Sequence, residues 1–172
     1  SEMGHLLFAM ACDVEFKNID SREAFVTKAD KRDFTDKFLT LYDQFMTKFA
    51  ARGIKEIDIA AKRIYEDVGI LYDKLVEINI VDNQILTVKK KRQEAYDKLL
   101  AVAKEKGKQK KFERAVKKMK ATIGYREHPK YVVVLITAKL HDICLDMAKE
   151  WVKDGRLDKA YDIFDLKTNE ID

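Results

Sequence analysis

Apolar residues recur along this chain at intervals of three and four. Phe34, Phe38, Leu41, Phe45 and Phe49 share one face, with Lys31, Asp36, Asp43 and Lys48 on the other. That spacing predicts an amphipathic helix with an aromatic stripe, ending near Gly53. A second stripe, Ile57, Ala60, Ile64, Val68, Leu71, Leu75 and Ile78, passes through Gly69 without a proline to stop it. It predicts one long helix weakened at Gly69, since glycine costs about 1 kcal/mol relative to alanine in a helix interior. Asp82 or Asn83 offers an N-cap for the next stripe, Ile85, Val88, Ala95, Leu99 and Val102, which Gly107 closes. Phe112, Ala115, Val116, Met119 and Ile123 continue the period as far as Gly124.

The only proline, Pro129, fits the first turn of a further helix, where a missing N–H costs nothing, or a kink within a longer one. That helix carries Val133, Ile136, Leu140, Ile143, Cys144, Met147 and Trp151, and Gly155 is placed as its C′ residue. Its run Val132 to Ile136 is apolar on more than one side, so it is expected to be the central helix. Leu157 to Phe164 is expected to dock through Tyr161 and Phe164. Near the other end, Leu6 to Cys12 suits a short helix, and Asp20 or Ser21 a cap for Arg22 to Ala29.

Composition agrees with this reading. One Pro and six Gly in 172 residues cannot punctuate the turns of a sandwich or barrel, and 37% charged residues is a helical composition. The expected fold is all-α, a bundle of about five to seven helices, several long and antiparallel. No internal repeat or Ser- or Pro-rich linker divides the chain, so residues 1–172 read as a single helical domain. Cys12 and Cys144 cannot form a disulfide framework, which points to a reducing compartment. No apolar run approaches the ~20 residues of a membrane span, and Ser1 to His5 lacks a secretion signal, so a cytoplasmic location is expected. A first residue of Ser rather than Met suggests a piece of a longer protein.

Charge is uneven. Lys89 to Lys120 holds 14 Lys plus Arg against 4 Asp plus Glu, a net of +10, so the rest of the chain carries −6 of the overall +4. Interleaved with Val88, Ala95, Leu99, Phe112 and Val116, these charges read as the solvated faces of two amphipathic helices. The alternative is a surface for nucleic acid or an acidic partner, for which Tyr96 and Phe112 are the available stacking rings.

Two polar clusters stand out. Arg52 and Gly53, followed by Glu56, Asp58 and Arg63, read either as a C-cap with an acidic first turn on the next helix, or as a cluster facing a ligand or neighbouring domain. Arg126, Glu127, His128 and Lys130 could hold a phosphate or carboxylate, or pair with Glu56 or Asp58. His141 and Cys144, with Asp142 and Asp146 nearby, lack the further ligands zinc requires; they read as a buried Cys in the apolar stripe with a His at its margin. Isolated glycines exclude a P-loop and a dinucleotide fingerprint, and scarce serine excludes a Ser-His-Asp triad.

Three segments share a further pattern. Phe45 to Asp67 reads FMTKFAARGIKEIDIAAKRIYED, Arg126 to Lys130 reads REHPK, and Gly155 to Ile171 reads GRLDKAYDIFDLKTNEI. In this order they resemble segments of phosphoenolpyruvate-utilising enzymes of the phosphoenolpyruvate synthase (pyruvate, water dikinase) and rifampin phosphotransferase type. The resemblance departs from the pattern at Phe49, Ala50 and Ala51, where the family carries Tyr, Gly and His, and at Val68, where it carries Pro. It implies the helical middle region of such an enzyme, lying between an ATP-grasp-like nucleotide domain and a swivelling phosphohistidine domain. ATP and Mg²⁺ are then expected for the parent enzyme and no cofactor for this region. By the same resemblance Arg52, Glu56, Asp58, Arg63, Arg126, Glu127 and Lys130 are substrate-binding or interdomain residues, none catalytic. A small-molecule substrate is the implied ligand; in the drug-binding variant a rifamycin-type antibiotic would bind an apolar groove between the Phe34–Phe49 and Val133–Trp151 helices. Membrane and nucleic acid are not expected partners.

Overall fold

A computed structural model of the chain describes residues 2–78, 84–126, 128–167 and 170. Among them it shows an all-α protein with eight α-helices and no β-strand. The helices are α1 (Glu2–Cys12), α2 (Val14–Lys17), α3 (Arg22–Lys31), α4 (Asp36–Phe49), α5 (Gly69–Val76), α6 (Gln84–Glu105), α7 (Gln109–Thr122) and α8 (His128–Lys153). Single 3-10 segments cover Ile123–Arg126 and Ala160–Asp165. The cap expected at Asp82 or Asn83 lies outside the described residues. The chain forms two compact units, Ser1–Ile78 with Val132–Asp172, and Asn79–Tyr131.

The core of the first unit is built by α1, α3, α4 and α5. Met10, Ala11, Phe25, Phe38, Phe45, Ile64, Leu71 and Leu75 are almost wholly removed from solvent. Fully burying an aliphatic or Phe side chain of this kind is worth roughly 1.5–3 kcal/mol. The aromatic stripe of α4 is spent here rather than on an external groove. Phe25 lies 5.6 Å from Phe34, 6.5 Å from Phe38 and 5.7 Å from Tyr72, while Phe34 lies 5.6 Å from Tyr42. The starts of α2 and α3 are fixed by short polar side chains. Ser21 Oγ accepts from the Ala24 N–H at 3.1 Å, and Asp13 Oδ1 from the Glu15 N–H at 3.0 Å. Gly155 closes α8 at φ 74°, and the Arg156 N–H donates to the Trp151 carbonyl at 2.8 Å, the six-to-one bond of a Schellman cap.

Two expectations fail. Ile57 to Ile78 is not one helix: only Gly69–Val76 is α-helical, and residues 51–68 form an irregular loop. The periodic apolar pattern loses because Arg63, in the middle of it, is drawn inside as a polar anchor. Nor is α8 central. Val134, Ala138, His141 and Ala148 are buried, but Val133, Ile136, Leu140, Ile143 and Met147 are exposed.

In the second unit α6 and α7 fold back on one another around Gly107. Tyr96 and Phe112 meet at 5.6 Å, and Lys120 Nζ sits 5.6 Å over the Tyr96 ring. Both rings are thus used in packing the hairpin, and the lysines occupy its outer faces. No helix among the described residues is long and apolar enough to cross a membrane.

Candidate functional site

The loop between α4 and α5 holds four of the expected site residues, and its shape follows from where their charges can be satisfied. Arg63 is fully buried. Its two terminal nitrogens donate to the carbonyls of Glu56 (2.9 Å) and Asp58 (2.8 Å), replacing the water the guanidinium has lost. Those carbonyls could not accept from Arg63 if Glu56 to Asp58 were helical and used them internally. Arg52 reaches the Glu56 carboxylate with one nitrogen at 2.7 and 3.0 Å. Asp58 caps its own turn, accepting from the Ala60 N–H at 3.0 Å.

The two arms of the loop then pair. Gly53 and Arg63 form an antiparallel bridge, flanked by Ile64 N–H to Arg52 O at 2.8 Å and Tyr65 N–H to Ala50 O at 3.2 Å. Gly53 is therefore not a helix C-cap, because α4 has ended at Phe49. A Cβ at Gly53 would stand 2.5 Å from the Lys62 carbonyl oxygen, so the arms close only on glycine. Gly53→Ala is expected to lower unfolding stability by about 2 kcal/mol, read from the denaturant midpoint.

Beyond Arg63 the chain enters a second polar cluster that sequence reasoning missed. Glu66 accepts the Arg63 N–H at 2.7 Å and the Tyr161 hydroxyl at 2.5 Å. His141 Nε2 lies 3.0 Å from the same carboxylate, though not aligned as a hydrogen bond. His141 Nδ1 donates to the Ile59 carbonyl at 2.5 Å, and the Phe164 ring stacks on the imidazole at 5.1 Å. Both ring nitrogens therefore face oxygen atoms. Tyr65 donates to Asp142 at 2.5 Å. Burial pushes the Glu66 carboxyl upward, but the bonds from Tyr161 and the Arg63 N–H, together with the nearby His141 ring, outweigh it and hold the carboxyl below its ordinary value. Burial, then the facing Asp142 and Glu66 carboxylates, drive the Tyr65 and Tyr161 hydroxyls above their ordinary range.

The expected relation of His141 and Cys144 is reversed: His141 is enclosed and Cys144 is half-buried. No group of three metal-ligating side chains occurs among the described residues. The loop's carboxylates are committed to protein donors: Glu56 to Arg52, Glu66 to Tyr161, and Asp67 to Arg22 at 2.8 Å. They do not fit the open oxygen cage Mg²⁺ needs. Arg126 and Lys130 lie in the second unit, at the end of the 3-10 segment and in the first turn of α8. Glu127 and the Arg126 side chain lie outside the described residues.

Residues 1–127, which include the whole Arg63 loop, match the family described as the rifampicin phosphotransferase fourth domain. The chain belongs to this family. No curated protein and no solved structure gives a match. As a rifampicin phosphotransferase fourth domain, the chain is a helical domain of a phosphoenolpyruvate-utilising phosphotransferase family. Its match covers Arg52, Glu56, Asp58, Arg63 and Glu66, whereas His141, Tyr161 and Phe164 lie beyond it.

Proposed function

We propose that this chain is the non-catalytic helical middle region of a phosphoenolpyruvate synthase-like phosphotransferase. Nucleotide, Mg²⁺ and the phosphoryl-carrying histidine would sit on ATP-grasp-like and phosphohistidine domains of the same parent enzyme. The observation that carries this reading is the Arg63 loop, which lies inside the family match and spends its charged groups on bracing itself. A loop braced in this way presents a fixed surface, on which Ile54 and Ile57 point outward at 77% and 74% exposure. In the proposed role that surface meets the acceptor substrate or a neighbouring domain, with Arg52 and Glu56 positioning it. His141 supports the reading too: its ring is fully buried, out of reach of a phosphoryl donor in solution.

Incubation with Mg²⁺-ATP should release no inorganic phosphate above the background of a heat-denatured control. Turnover abolished by mutating a residue of this chain would overturn the assignment.

The family description favours one more specific reading, that the acceptor is a rifamycin-type antibiotic and this region contributes to its binding. The aromatic face of α4 is occupied in the core, so the contact would fall on the Arg63 loop or the exposed side of α8. Calorimetry with a rifamycin should then show heat that Ile57→Asp or Leu140→Asp reduces. No heat at millimolar ligand would contradict it.

A further inference from the structure

Helix α8 is buried along one side and bare along another. On the bare side Val133, Ile136, Leu140, Ile143 and Met147 are exposed by 47, 55, 47, 43 and 44%. Their spacing alternates three and four, which is the a/d pattern of a two-helix seam and not a random scatter of surface apolar residues. The buried residues Val134, Ala138, His141 and Ala148 fall at the b and f positions of the same heptad, so packing into the first unit leaves the seam open.

The charges beside the seam select its occupant. Lys139 and Asp146 are both exposed and occupy successive g positions with opposite signs. In an antiparallel pair of identical helices, g residues face g residues of the other copy. The register that sets Leu140 against Ile143 and Met147 against Ile136 also sets Lys139 against Asp146, and two-fold symmetry repeats every contact. A parallel pair would set Lys139 against Cys144 and Asp146 against Trp151, with no charge satisfied. Asp146 now pairs with Lys149 at 2.9 Å, but both are well exposed at 72 and 63%. Such a pair contributes little and yields readily to another cation.

We propose that α8 is a self-association surface, pairing antiparallel with α8 of a second copy through Ile136, Leu140, Ile143 and Met147 and reciprocal Lys139–Asp146 contacts. The four apolar layers span roughly 16 Å, which places the interface at or below the ~1,200 Å² of small specific interfaces. The inference does not depend on the proposed phosphotransferase role.

Sedimentation equilibrium of the whole chain, from roughly 1 µM to 1 mM, tests it. The chain should pass from monomer to dimer across that range. Lys139→Asp should weaken the dimer at least tenfold by opposing like charges twice, and adding Asp146→Lys should restore it to within about threefold. Leu140→Asp should leave a monomer with unchanged helical circular dichroism, since the side chain is already half exposed. A monomer at about 1 mM, a dimer indifferent to Lys139→Asp, or a charge swap that fails to restore pairing would each overturn the proposal.

Discussion

Arg63→Ala is expected to lower unfolding stability by about 3–5 kcal/mol, the largest effect of any single change in the site. Arg63 is fully buried, and its loss strands the carbonyls of Glu56 and Asp58 away from water. The same change removes the reason for residues 51–67 to stay irregular. Amide exchange within the loop should rise well before the core of α1, α3, α4 and α5 opens. Arg63→Lys should recover part of the stability, because an ammonium can reach one carbonyl but cannot span two with a planar fork. A denaturant midpoint within about 1 kcal/mol of the parent for Arg63→Ala would show that the loop is held by something else.

Glu66→Ala is the second large expectation, at about 2–4 kcal/mol. The carboxylate takes the Arg63 N–H and the Tyr161 hydroxyl and faces His141, so removing it orphans two donors at once. It also unties the 3-10 segment Ala160–Asp165 from the loop, and limited proteolysis should cut the C-terminal segment faster in this variant. The pH dependence has a definite sign. Because the folded carboxyl titrates below its ordinary 4.5, the unfolded chain binds the proton more readily. The contribution of Glu66 is thus fully present above that ordinary value and disappears as pH falls through the lower folded one. Between neutral pH and the acid limb the parent should lose stability that Glu66→Gln has already lost, so the two curves converge as the solution is acidified. Parallel curves would show that Glu66 does not titrate with folding.

The helices that repeat a clean apolar period were readable from the sequence, with some of their ends, though α4 stops at Phe49, short of Gly53. Ser21 stands where α3 begins, Pro129 lies in the first turn of α8, and Gly155 ends it. Tyr161 and Phe164 dock as their positions suggested. The failure was concentrated at Ile57 to Val68. There a helical apolar period coexists with Arg63, and periodicity treats an arginine as a solvent-facing residue. The tertiary structure instead gives it two carbonyls and no water, a satisfaction that spacing alone does not encode. The pairing of Arg52, Glu56, Asp58 and Arg63 in one cluster was legible because they are close in sequence. Glu66 with His141, Tyr161 and Phe164 was not, since their contacts cross more than 70 residues of chain. A usable hint existed: Val134, Ala138, His141 and Ala148 share one side of α8, and small residues around a histidine mark a helix face that a neighbour approaches closely.

In the proposed role this helical region supports phosphoryl transfer without carrying the phosphoryl group. Intact-mass analysis after incubation with phosphoenolpyruvate, and separately with Mg²⁺-ATP, tests it directly under conditions that preserve phosphohistidine. The expected result is an unmodified chain in both reactions. One added phosphoryl group mapped to His5, His128 or His141 would contradict it.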